Sequence, residues 1–152
     1  FEQVYGAPYL ARLLFAELGR GTASNVFLRL DYDGGIHTNG GAFGRSFEQF
    51  GVIAGTKVAT NHMEEYLRGQ ELPNLSFKEA LLLASKTWAV GHLTLNAEAR
   101  DDAPDKSAIA ADLKEQLAAT SVECAVLERG SGLPMTWRSI PDTDARSILE
   151  KA

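Results

Sequence analysis

The sequence predicts an α+β fold in which strands come first, two helices follow, and a further helix, a hairpin and a closing helix end the chain. Three observations predict it. A strand of period two runs into Asp33-Gly34-Gly35, and glycine accepts the positive φ of a hairpin tip. Ser76 and Glu79 stand at capping-box spacing before an apolar run of helical period. A late apolar run, residues 122–127, is followed by Gly130-Ser131-Gly132 and a returning segment. This order is not the regular alternation of a parallel βαβ fold.

The elements follow in turn. Residues 9–18 are aromatic and aliphatic with few charges and read as a buried strand, broken by Gly19-Arg20-Gly21-Thr22. Val26, Leu28 and Leu30 alternate with Phe27, Arg29 and Asp31, giving a half-buried strand over 26–32. Ile36-His37-Thr38 returns it, and Asn39-Gly40-Gly41 ends or bulges it. Residues 43–50 read as irregular, and 51–55 as a short apolar strand. A helix is expected over 57–68, with Thr56 near its start and Val58, Met63 and Leu67 on one face. Pro73-Asn74 marks a loop. Ser76 then opens a helix whose Phe77, Leu81, Ala84 and Trp88 face a sheet, with Gly91 as its end. Residues 93–104 read as a polar surface loop. Residues 105–119 read as a helix with Ile109, Leu113 and Leu117 four apart. Residues 134–140 return the late strand. Residues 142–152 form a closing helix with Ile148 and Leu149 inward.

The 152 residues suit a single domain, 1–152. A net charge of -5, with Lys and Arg scattered, argues against nucleic acid, because phosphate binding needs clustered basic residues. No apolar run approaches the roughly 18 residues of a membrane span, and residues 1–3 show no leader pattern. The start at Phe1 reads as a fragment or a processed product. Cys124 is the only cysteine, so an internal disulfide is excluded and the cytoplasm is the expected compartment.

The reactive side chains do not assemble into a site. Cys124 lies in an apolar strand and reads as a buried structural thiol. His37, His62 and His92 lack metal-ligand spacing. Glu64 and Glu65 are neighbours on a helix, pointing about 100° apart, and read as a solvated face. Asp101-Asp102 lacks the spacing of a calcium loop. Gly34-Gly35 and Gly40-Gly41 fit hairpin turns better than phosphate cradles. No catalytic, cofactor-binding or metal residue is assigned, and no cofactor is expected.

The ordered segments carry a resemblance. "YDGGI" at 32–36, "GVIAGTKVATNHMEEYL" at 51–67, "LSFKEALLLASKTW" at 75–88, "VECAVLER" at 122–129 and "APYLARLLFAEL" at 7–18 together resemble the later part of bacterial, actinobacterial-like α-type proteasome subunits. Residues 93–119 form a longer interval than that family pattern has. The resemblance implies an αββα sandwich of the N-terminal-nucleophile hydrolase type, of which this chain is the C-terminal half. It implies a non-catalytic subunit of a heptameric ring that gates entry to catalytic β subunits. The implied partners are other α subunits, β-type subunits and a ring-shaped ATPase activator, with neither nucleic acid nor membrane. Gly55-Thr56-Lys57 stands where β-type chains tend to have Gly-Ser-Gly, and 91–94 lacks their carboxylate, which favours the α type. Two other readings stay open: a fragment of a β-type threonine peptidase or related hydrolase, and an unrelated α+β interaction module.

Overall fold

A computed structural model describes residues 11–19, 25–38, 49–98, 102–129 and 137–150. The fold is α+β, and the chain divides into two compact units, Phe1–Ile53 and Ala54–Ala152.

The first unit holds an antiparallel sheet of β1 (Leu13–Glu17), β2 (Val26–Leu30) and β3 (Ile36–Thr38), in that order. The β2–β3 turn closes as its sequence requires. Asp31 donates its N–H to the Gly35 carbonyl at 2.9 Å, the Asp33 carboxylate accepts from the Gly35 N–H, and Gly34 takes φ 84°. Register pairs Leu13 with Leu30 and Leu30 with Ile36, and it pairs Phe15 with Leu28. Side chains alternate along a strand, so these five share one face. That face is open: Leu13, Phe15 and Ile36 are 44%, 52% and 64% exposed. The expected burial of residues 9–18 is therefore corrected for the described part, since β1 is exposed along its length. Apolar composition signals a face able to be covered, and within this unit nothing described covers it. Tyr9, Leu10, Gly40, Gly41 and most of 43–50 lie outside the described residues.

Residues 51–55 form no strand, contrary to expectation. A Cβ on Gly51 would stand 2.8 Å from a Leu14 methyl and 3.2 Å from Phe27 Cβ. Gly51 thus lies against the opposite face of β1–β2 instead of pairing along an edge.

The second unit begins with α1 (Lys57–Arg68). Thr56 takes an extended conformation and its hydroxyl accepts from Ala59 N–H at 3.1 Å, so it caps the helix. Ala59, Met63 and Leu67 are buried, and Val58 is half-buried. Asn74 turns the chain with φ 67°. In α2 (Phe77–Leu93) the capping box is present: Ser76 Oγ accepts from Glu79 N–H, and Glu79 Oε2 accepts from Ser76 N–H at 2.8 Å.

Two expectations for this helix are corrected. Gly91 does not end it. The helix runs on to Leu93, and Thr94 caps it, donating its hydroxyl to the Val90 carbonyl at 2.7 Å. Gly91 is buried, and a Cβ there would collide with the Met63 sulfur, so its smallness lets α1 and α2 approach. Of the stripe at Phe77, Leu81, Ala84 and Trp88, only Leu81 is buried, while Trp88 is 45% exposed. The buried face instead carries Thr87, Ala89 and Val90, because α2 packs against three helices, α1 and two that follow.

Asp105 caps α3 (Lys106–Ala119), its Oδ1 accepting from the Ser107 and Ala108 N–H groups, both at 2.8 Å. Ile109 and Leu113 are buried, and Leu117 packs on the core. β4 (Cys124–Leu127) pairs antiparallel with β5 (Trp137–Ile140), Cys124 opposite Ile140. α4 (Asp142–Leu149) closes the unit. Leu81, Ile140, Ala145 and Leu149 form the core cluster, with Ile148 packed on it as expected. Gly130-Ser131-Gly132 lies outside the described residues.

Candidate functional site

A cleft of about 490 Å³ lies in the second unit, lined by described residues. Leu81, Ala84 and Trp88 of α2 line it together with Leu113 and Leu117 of α3 and Cys124 of β4. Helical spacing brings the α2 residues to one side, and the same spacing serves Leu113 and Leu117. The lining is mostly apolar.

Within this lining Trp88 stacks on His92, ring centroids 5.3 Å apart and planes 3° from parallel. His92 Nδ1 lies 2.9 Å from Asp112 Oδ1. Asp112 is only 9% exposed, and its Oδ2 is buried without a hydrogen-bond partner among the described residues. Sequence reasoning considered His92 alone and missed this pair. A signal existed: Asp112 precedes Leu113 and follows Ile109 by three, on the side of α3 that is buried.

The other candidate residues fall apart in space or into local roles. Cys124 is half-buried and free, and burial pushes its thiol above the ordinary value, with Arg138 pulling weakly the other way. That disfavours a thiolate nucleophile. His37 Nε2 lies 3.2 Å from Asp31 Oδ2, which stands within the hairpin cluster of Arg12 and Arg29. His62 is buried on α1, its Nδ1 without a hydrogen-bond partner among the described residues. Glu64 pairs with Arg68 at 2.9 Å across one helical turn, and Glu65 is exposed. Asp102 is exposed, and Asp101 lies outside the described residues. Among the described residues no group of three or more His, Cys, Asp or Glu side chains is placed to hold a metal ion. No described helix is long and apolar enough to cross a membrane.

Comparison with protein-family profiles, with curated proteins and with solved structures finds no match to this chain.

Proposed function

We infer that the chain is part of a non-catalytic α-type subunit of a proteasome core particle, a cytoplasmic ring component that controls entry to catalytic β-type subunits. The observation that carries the reading is the open apolar face of the β1–β3 sheet, formed by Leu13, Phe15, Leu28, Leu30 and Ile36. A contiguous apolar face of this kind is avoided on the surface of a soluble monomer. A two-sheet αββα sandwich gives it a partner layer. The order of elements is compatible with the same reading: a hairpin with "YDGGI" at its turn, the α1–α2 pair, then a late strand carrying "VECAVLER".

In this reading the role is steric. Subunit rims bury surface to close a seven-membered ring, its opening is too narrow for folded proteins, and an ATPase ring docks on its outer side. The upward push on the Cys124 thiol supports a chain without a cysteine nucleophile. The test is co-expression of the gene's whole product with a β-type partner. A stacked particle with seven-fold symmetry by electron microscopy is expected. A whole product that stays monomeric at high concentration and ignores β-type chains overturns the reading.

A further inference from the structure

His92 is held on two sides. Nδ1 meets Asp112 Oδ1 at 2.9 Å, and the ring lies flat against the Trp88 indole. Trp88 and His92 are one turn apart on α2, which sets their rings one above the other. Asp112 comes from α3. The three side chains therefore link two helices that line the cleft. Asp112 is a buried carboxylate, and a buried charge is costly unless it is paired. The partner it has is an imidazole, the side chain whose charge ordinarily changes between roughly pH 5 and 8.

We propose that Trp88, His92 and Asp112 form a proton-operated clasp between α2 and α3 that sets the position of the indole in the cleft lining. With both ring nitrogens protonated, Nδ1 donates a charge-assisted hydrogen bond to Asp112. The cationic ring is also attracted to the indole face. With one ring proton gone, both attractions weaken. The polar link between the helices loosens, and Trp88 is released from the stack.

The helices packed against α2 each carry titratable or charged groups. α3 brings Asp112 itself. α1 brings His62, buried beside Met63, which rests on Gly91. α4 brings Asp142 and Arg146, which are bonded to each other and to backbone at and beyond the C-terminal end of α3. The clasp lies within one chain and does not depend on ring membership, so its test is separate from the one above.

The chain has two tryptophans, so Trp137→Phe leaves Trp88 as its single indole. A stacked imidazolium quenches indole emission. In that background emission is expected to be lower at about pH 5 than at about pH 8, with the far-ultraviolet circular dichroism unchanged. His92→Gln is expected to abolish the transition, Asp112→Ala to lose most of it, and His62→Gln to keep it. A second readout needs no change at the clasp: acrylamide should reach Trp88 more readily at the higher pH. A flat emission profile in the Trp137→Phe protein, a transition that survives His92→Gln, or equal acrylamide access at both pH values overturns the clasp.

Discussion

Gly91 and Met63 show how one absent methyl group positions two helices. A glycine inside a helix costs about 1 kcal/mol relative to alanine. Here the side chain that would relieve that cost has no room, because the Met63 sulfur occupies its place. Gly91→Val is therefore expected to destabilise the chain by about 1–3 kcal/mol, the usual cost of overpacking. Urea unfolding measures it, and adding Met63→Ala should return part of the loss, since contacting residues couple. An unchanged midpoint in Gly91→Val would show that α1 and α2 are not this close. At the other end of α1, Thr56→Ala removes the hydroxyl that accepts from Ala59 N–H. The expected cost is about 1 kcal/mol, read as a lower thermal midpoint, with Thr56→Ser close to the parent.

Elements are joined in the second unit by one short arrangement around α4. Asp142 Oδ1 accepts from Val122 N–H at 2.7 Å, and Oδ2 accepts from Arg146 Nε at 2.8 Å. Arg146 also donates to the carbonyls of Leu117 and Thr120, where α3 ends. The Val122 N–H and then Arg146 hold the Asp142 carboxyl below its ordinary value of 3.8. A carboxyl with a depressed folded value binds its proton more readily in the unfolded chain. Its contribution to stability is thus present above the unfolded value and is lost as pH falls through the folded one. Acid unfolding below about pH 4 should be shallower in Asp142→Asn than in the parent. Equal slopes would show that the carboxylate does not link α4 to the segment leading into β4.

The cap at Ser76, and Thr56 near the start of its helix, were legible because each rests on a bond to a residue three positions away, whereas Asp105, read as part of its helix, caps it. The hairpin at Gly34 was legible for the same reason. Burial was legible only in part, as at Met63, Leu67, Ile109 and Leu113, because it depends on what lies opposite. The stripe through Trp88 has helical spacing, yet α2 meets helices on its other sides and leaves the indole on a cleft. Gly91 carries a stop signal in the sequence and serves as a contact in the fold. The His92–Asp112 pair spans 20 residues, and spacing alone cannot join two helices.

At the scale of the whole molecule, the open face of the β1–β3 sheet has opposite consequences under opposite readings of the chain. Phe15 and Ile36 are 52% and 64% exposed, so polar replacements at both should leave the stability of the 152-residue chain nearly unchanged. Surface substitutions ordinarily stay within about 0.5 kcal/mol. If the face forms the inner layer of a sandwich in the gene's whole product, the same replacements place charge inside a core. Phe15→Glu with Ile36→Lys is then expected to prevent ring assembly there while sparing the isolated chain. The two side chains sit in adjacent rows of the face, Phe15 opposite Leu28 and Ile36 opposite Leu30, so the pair tests the surface as a unit. Sizing chromatography and urea unfolding on both products separate the cases. Loss of stability in the isolated chain would show that the face is already covered within it. Rings that form normally in the doubly substituted whole product would show that the face stays open there too, and the sandwich reading would lose its main support.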